Sequence, residues 1–444
     1  MTANTPNIIR VALIVTALCI NFCMSVNAAE KQPSENGPIP VVLVEQEGRH
    51  QLIRGGEAYV IKGAGLELGD IGVFASHGGN SIRTWATDNS QLTGQQVLDE
   101  AARHGVTVAM CIEIGRERLG FDYDDEEAVA RQLEFARNEV LKYKDHPALL
   151  VWIIGNEPDF SFTNPNVFDA INDISKMIHE LDGNHPTTTA LTSDFSPELA
   201  ALIEERAPDL DIISLQKYAG IVNVPRYIEE AGIDRPYFVT EWGPVGHWEV
   251  SKTSWGAPIE HNSSEKAASY LENYERVIAP ESDQIIGSYA FFWGQKQERT
   301  PTWYGLFLAD GTETETVDVM HYIWNGSWPE NQSPRIKTML LDARTSHQDV
   351  TLEAGLGYEA NVVASDPDGD RLEYRWTVMR ESEATEVGGD REQIPGILTG
   401  LIADVKNGKV VVTAPGEAGA YRLFVYVHDG QGHAGHANIP FLVQ

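Results

Sequence analysis

The sequence predicts a closed barrel of eight parallel strands alternating with helices, a (β/α)8 TIM barrel, followed by a small all-β immunoglobulin-like sandwich. Three observations predict it. Between residues 40 and 327, eight apolar runs alternate with helix-like segments. Each run is nearly continuously apolar, as parallel strands covered on both faces must be. A polar linker bearing two prolines follows, and beyond it come strands that alternate residue by residue between turn signals.

One base, Arg10, precedes the apolar run VALIVTALCI, and Val26-Asn27-Ala28 offers a cleavage site before Ala29. The run is too short for a span of about 20 residues. Residues 1–28 are therefore expected to be an export signal to the periplasm or outside, with an uncleaved membrane anchor as the alternative. Removal of Cys19 and Cys23 leaves Cys111 alone, so no internal disulfide forms. Residues 29–39 read as a flexible lead. The strand candidates are 57–65, 79–85, 106–114, 149–157, 186–193, 210–218, 236–243 and 285–294. Among the helices, 124–144 is clearest. Val129, Leu133, Ala136 and Val140 share one stripe, acids open the segment and lysines close it, matching the helix dipole. Further helices are expected near 91–104, 165–181, 196–206, 264–278 and 316–324. A doubly wound sheet is the rival architecture, but no glycine-rich phosphate fingerprint follows the first strand. The barrel is assigned 40–327, the linker 328–334 and the sandwich 335–444. About seven strands are expected in the sandwich, including LEYRWTV, where Leu372, Tyr374, Trp376 and Val378 face one way.

Charge excludes several partners. The chain carries 65 acids against 33 bases, a formal net charge of -32. Phosphate binding needs a basic footprint, so nucleic acid is excluded, and an anionic membrane surface is disfavoured for the same reason. No membrane association is expected once the signal is cleaved.

The ends of the strands carry the chemistry. In a TIM barrel the functional groups sit at the C-terminal ends of the strands. Glu157 closes the fourth strand candidate and Glu241 nearly closes the seventh. Across a closed barrel of eight their side chains converge over the axis. Two carboxylates held about 5–5.5 Å apart are what retaining glycoside hydrolysis requires. Their pKa values must differ, one protonated and one ionised. Arg83, at the end of the second strand, offers a fixed positive charge for Glu241, and Tyr218, at the end of the sixth, a hydrogen bond. Asn156 offers an amide to a substrate hydroxyl, and Trp293 a flat face to a sugar ring.

The segments WIIGNEP and FVTEWG resemble the acid/base and nucleophile motifs of clan A glycoside hydrolases, and most of all the TIM-barrel domain of glycoside hydrolase family 2. LIRGGEAYVIKGAG, GNSIRTW, HPTTTA and DIISLQKY are similar to that family as well, so the likeness covers roughly residues 50–325. The resemblance implies that Glu157 is the acid/base and Glu241 the nucleophile. It further implies that Asn156 contacts the 2-hydroxyl, and that Arg83, Tyr218 and Trp293 take supporting places. Gln216-Lys217-Tyr218 departs from the family, which often has Asn two places before the Tyr. The first 38 residues are not expected to supply the sugar-binding and immunoglobulin-like domains that normally precede a family 2 barrel. A family 5-like assignment is equally compatible and leaves a polysaccharide substrate open.

Aromatic residues in the predicted loops suggest an extended cleft: Trp85 after the second strand, Trp242, Trp248 and Trp255 after the seventh, Trp303 and Tyr304 after the eighth. Arg116, Glu117 and Arg118 are placed to shape one end of it. Asp88 either binds a hydroxyl or caps the helix near 91. His247 has no second His or Cys at ligand spacing, so no metal is expected, and no cofactor is required. The acidic turn DPDGD (366–370) is similar to turns of PKD-like and cadherin-like modules, some of which bind calcium, and reads as a polar hairpin loop with calcium binding as the alternative. The sandwich is either a glycan-binding module or a spacer packed on the barrel, and the lack of an aromatic row on one strand face favours the spacer. The expected function is an exported retaining β-glycosidase acting on β-linked oligo- or polysaccharide, with β-glucan among the candidates. A β-glucan transglycosylase with the same two glutamates and a silent glycan-binding barrel are the alternatives. Oligomeric state is not legible.

Overall fold

The computed structural model describes residues 37–280, 284–385 and 389–444. The expected export signal, and most of the lead, lie outside the described residues.

Three short antiparallel strands come first: β1 (Val41–Gln46), β2 (Arg49–Arg54) and β3 (Glu57–Ala58). The Gly55-Gly56 turn between β2 and β3 has φ of 59° and 88°, a conformation that glycine adopts without a Cβ penalty. This small sheet stoppers the bottom of the barrel. Val41 N donates to Asn184 O at 2.7 Å, and Arg54 Nη2 to Pro147 O at 2.7 Å. Buried Val41 and Leu52 join the apolar interior formed by Ala109, Cys111, Val151, Ile153 and Phe238.

The barrel itself follows. Its strands are β4 (Ile61–Gly65), β5 (Ser81–Arg83), β6 (Thr107–Ile112), β7 (Leu149–Asn156), β8 (Thr187–Leu191), β9 (Ile212–Gln216), β10 (Tyr237–Trp242) and β11 (Ile285–Ala290). They are all parallel and close with β11 beside β4. All eight apolar runs are strands, and β5, β6, β7, β8, β9 and β10 are buried along their whole length. Cys111 lies in the barrel interior with no exposure. Burial pushes its thiol up to about 12, so it stays neutral.

Among the described residues eight α-helices surround the strands: α1 (Ile71–Ser76), α2 (Gly94–Arg103), α3 (Glu126–Tyr143), α4 (Asn166–Leu181), α5 (Pro197–Arg206), α6 (Val224–Ala231), α7 (Ser263–Asn273) and α8 (Glu315–Asn325). In α3 the Asp125 carboxylate caps Ala128 N at 3.0 Å, Glu126 and Glu127 open the first turn and Lys142 closes the last. Helices α1 and α6, of 6 and 8 residues, were not expected from the sequence. So few turns show no readable helical period. The segment expected as 264–278 ends as an α-helix at Asn273 and continues as a π-turn, Tyr274–Ile278.

Two further sheets lie beyond the barrel. One has the order β12 (Arg335–Leu341), β14 (Gly357–Ser365), β18 (Lys409–Thr413), β17 (Ile402–Lys406). The other has the order β13 (Val350–Leu352), β20 (Ala434–Val443), β19 (Gly419–His428), β15 (Glu373–Arg380), β16 (Ile397–Leu398). They share one core, in which Leu341, Ala360 and Val412 of the first meet Val378, Leu423 and Ile439 of the second. Trp376 and Val378 are buried and Glu373 and Arg375 exposed, as period-two alternation in β15 requires. Among the described residues nine strands are present where about seven are expected. β13, β16 and β17 are short, and strands of two to five residues carry little pattern. No helix among the described residues is long and apolar enough to cross a membrane.

Candidate active site

Both glutamates reach the rim through a kink in their strand. In β7, Ile153 pairs with Thr188 but Asn156 pairs with Ala190, so β7 carries one extra residue. Gly155 absorbs it with φ of 75°. In β10, Val239 pairs with Leu215 and Glu241 with Gln216, again one residue out of step. Bulges re-aim the side chains that follow them. Glu157 continues the turn with φ of 53°, left-handed and costly for a non-glycine residue. Its position is held by its own N–H, donating to Ala190 O at 2.9 Å, and by buried Asp159, which accepts from Thr192 N at 3.0 Å and Ser193 N at 2.8 Å.

The two carboxyl groups meet opposite surroundings. Four donors converge on Glu241. Its Oε1 accepts from Arg83 Nη1, from Trp85 Nε1 at 2.9 Å and from Gln216 Nε2 at 3.1 Å. Its Oε2 accepts from Tyr218 Oη at 2.9 Å. A charged donor and three neutral ones suit an acceptor-only carboxylate. Arg83 is wholly buried, and its other nitrogen, Nη2, donates to Asn156 Oδ1. Gln216 Nε2 also donates to that oxygen, at 2.8 Å, which leaves the Asn156 NH2 as the hydrogen-bonding group offered to the cavity. Burial holds the Tyr218 phenol well above its ordinary range, so it remains a proton donor.

Among the described residues Glu157 has no such donors. Burial, then the negative charges of Glu241 and Asp159, push its carboxyl up to about 8, against the opposing pull of Arg116 and Arg83. It therefore carries a proton at neutral pH beside a second carboxyl group.

A cavity of about 480 Å³ opens above them, within the range of small-ligand sites, about 300–1,000 Å³. Trp85, Asn156, Glu157, Tyr218 and Glu241 line it, with Trp248, Phe291 and Phe292 as further aromatic walls. Arg83 stands directly behind Glu241. Six of the residues expected at the site, Arg83, Trp85, Asn156, Glu157, Tyr218 and Glu241, thus come together. Three do not. Trp242 is fully buried against Tyr270 and Tyr274, because the neighbour of an inward-facing residue on a strand faces out. Trp293 packs in the core among Phe74, Phe307 and Trp324. Trp303 is buried with its Nε1 donating to Val245 O at 3.0 Å. None of these three indoles lines the cavity, so none offers a face to a sugar.

Other candidates resolve individually. Asp88 Oδ1 accepts from Gly94 N at 2.7 Å and from Tyr143 Oη at 3.0 Å, so it secures the start of α2. Arg116 lines the cavity, whereas Glu117 turns away to accept from Thr163 N at 2.7 Å and Asn164 N at 3.0 Å. Gln216 carries more of the site than the sequence disclosed. The signal was its place, two residues before Tyr218 at a strand end. The walls Gln295–Glu298 and Gly389–Glu392 gave no motif to find them by.

One cluster among the described residues has metal-ligating types, Glu313, Asp318 and His433. His433 Nε2 lies 3.6 Å from Glu313 and its Nδ1 3.6 Å from Asp318. Opposite ring nitrogens thus face different acids, the geometry of a bridging ion pair between the barrel and the second unit.

Residues 68–326 match the model of a family described as glycosyl hydrolases family 2, TIM barrel domain. No curated protein matches the sequence. Among solved structures the chain is similar to a β-D-glucuronidase from Dictyoglomus thermophilum. Identity is 14%, covering 65% of this chain and 54% of that one, with a TM-score of 0.50. It is also similar to the β-glucuronidase of Ruminococcus gnavus, at 15% identity over 66% of this chain and 53% of that one, with a TM-score of 0.51. At such identities the likeness is one of fold, and this chain spans about half the length of those proteins. The family match covers more than half of the chain, including every barrel strand from β5 onward, and the chain belongs to glycosyl hydrolase family 2 through its TIM barrel domain.

Proposed function

We propose that the protein is a retaining β-glycosidase in which Glu241 is the nucleophile and Glu157 the acid/base. The observation that carries this reading is the opposition of the two carboxyl groups: four donors on one, a pKa raised to about 8 on the other, and one cavity over both. In the first step a Glu241 oxygen attacks the anomeric carbon. The bond from that carbon to the glycosidic oxygen breaks, and Glu157 gives its proton to that oxygen, so the leaving group departs as a neutral alcohol. The product is a glycosyl ester on Glu241. Esterification removes the negative charge that helped to raise Glu157, so the Glu157 pKa falls just when the residue must act as a base. In the second step Glu157 takes a proton from water, the oxygen attacks the anomeric carbon and Glu241 is released. The Asn156 NH2 serves as donor to a sugar hydroxyl, and Trp85 and Trp248 supply apolar faces.

The substrate is a β-linked oligo- or polysaccharide, with β-glucan among the candidates, and the protein is exported on residues 1–28. Mass analysis of the mature protein outside the cytoplasm tests the export. For the chemistry, Glu157→Gln and Glu241→Gln are compared with wild type on β-linked glycans, with the anomer formed first read by NMR. Glu157→Gln is expected to lower turnover by about 10²–10⁴-fold, the usual scale for a positioned proton donor, and Glu241→Gln, which removes the nucleophile, by more, while glycan binding persists. Retention of configuration is expected in the wild type. Inversion, or unchanged turnover in either variant, overturns the assignment.

A further inference from the structure

The cavity is not built by the barrel alone. Gly389, Asp390, Arg391, Glu392 and Ile394 belong to its walls, and they lie between β15 and β16 of the C-terminal unit. The unit is therefore more than the spacer expected from the sequence. Two attachments hold this segment in place. Both Asp390 oxygens accept from the Arg118 guanidinium, at 2.9 Å each, the planar fork that fixes direction as well as distance. Glu392 Oε2 accepts from Arg299 N at 2.7 Å, and its side chain is almost completely buried. Arg118 also lies over the Phe160 ring, 5.3 Å from its centre, in the loop that Glu157 begins. The segment is thus braced against the loop of the acid/base. At Gly389 the chain passes so close to Lys296 that a Cβ would stand 2.7 Å from Nζ. Between the two anchored acids, Arg391 is exposed and lines the cavity.

We propose that Asp390 and Arg391 bind the sugar that leaves from, or in transfer accepts, the glycosyl group. The inference rests on Glu157 being the acid/base. A proton donor stands beside the glycosidic oxygen, and the group beyond that oxygen is the one that departs. The Arg118 fork occupies one lone pair on each Asp390 oxygen, and the remaining lone pairs accept from sugar hydroxyls. The Arg391 guanidinium donates to them. Specificity for the leaving sugar is then set by the C-terminal unit, and specificity at the anomeric carbon by the barrel.

The test compares two substrates with the same glycone: a β-linked oligosaccharide, and a nitrophenyl β-glycoside whose leaving group has no sugar hydroxyls. The quantity read is the ratio of kcat/KM for the first to that for the second. In R391A and in D390N this ratio is expected to fall about tenfold, the scale of one hydrogen bond to a charged group. In R380A, which breaks an exposed pair with Glu417 elsewhere on the same unit, it is expected to stay at the wild-type value. An unchanged ratio in both R391A and D390N, with the variants folded, overturns the proposal. An equal fall in R380A overturns it as well. If the wild type cleaves neither substrate, the glycosidase reading fails on its own account. Titration of the oligosaccharide into wild type and R391A then decides the wall, and equal Kd values overturn it.

Discussion

The protonation of Glu157 links activity and stability. Its carboxyl is raised to about 8, so the proton-donating form is lost as pH rises through that value. The alkaline limb of kcat/KM is expected near pH 8, and initial rates across pH 5–10 check it. Stability changes in the same direction. A carboxyl with a folded-state pKa above its unfolded one stabilises the fold fully below the unfolded value, about 4.3, and loses that contribution as pH rises through 8. Glu157→Gln, neutral at all pH, is therefore expected to raise Tm relative to wild type at pH 8–9 and to confer little advantage at pH 4. Scanning calorimetry at the two pH values measures the difference. At Glu241, Tyr218 Oη is the sole protein donor to Oε2 among the described residues. Tyr218→Phe is expected to lower kcat about 10–100-fold, corresponding to about 1.5–3 kcal/mol for a hydrogen bond to a charged group.

At the scale of the element, the bulges matter more than the strands' apolarity. Gly155 has φ of 75°, and a Cβ there would lie 2.6 Å from Ile114 Cγ1. Gly155→Ala meets both a conformational and a steric penalty. It is expected to cost about 1–3 kcal/mol of stability and to lower kcat by displacing Asn156 and Glu157. Denaturant unfolding beside steady-state kinetics separates the two effects. The stopper sheet makes the contrast. Leu52 is 2% exposed at the opposite end of the barrel from the cavity. Leu52→Ala is expected to cost about 2–5 kcal/mol in the same unfolding measurement, with kcat at 25 °C near wild type.

Across the whole molecule the two units are joined by a buried polar network. Arg422, 1% exposed, donates to Glu381, to Asn438 Oδ1 at 2.7 Å and to Pro258 O at 2.8 Å. Asn438 Nδ2 donates to Glu260 Oε2 at 2.7 Å, and Glu260 pairs with buried Lys266 at 2.5 Å. Burial alone would raise the Glu260 carboxyl, but the Lys266 and His436 charges and the hydrogen bonds outweigh it and hold it down at about 2. Burial lowers His436 to about 3. Both shifts are depressions, so both contributions to stability are lost on acidification. That of His436 declines below about pH 6.5 and that of Glu260 below about pH 4.3. Between pH 7 and about 4.3 the gain at Glu157 opposes the loss at His436, whereas below about pH 4.3 the Glu157 contribution is complete and both losses act together, so scanning calorimetry is expected to show the Tm falling from pH 4.3 to pH 3. Arg422→Ala leaves the partly buried Glu381 without its partner and is expected to cost about 2–3 kcal/mol. Through the same interface it is expected to disturb the wall at Asp390, so oligosaccharide KM should rise in the surviving folded fraction.

Periodicity is a local property, and it determined the eight barrel strands, the longer helices and the change of architecture after residue 327. Strand ends are local as well, and six of the residues read there, Glu157, Glu241, Arg83, Asn156, Trp85 and Tyr218, gather at one cavity. Short elements were invisible because α1 and α6 span too few turns to show a period. The face on which a side chain lies depends on register and bulges, and these are set by neighbouring strands. That is why Trp242, Trp293 and Trp303, sound candidates as aromatics near strand ends, belong to the core. Which neighbours raise Glu157, and which donors gather on Glu241, follows from closing the barrel. The wall from the C-terminal unit was beyond sequence for the same reason. Arg118 and Asp390 are 272 residues apart, and only packing one unit on the other brings them within 2.9 Å.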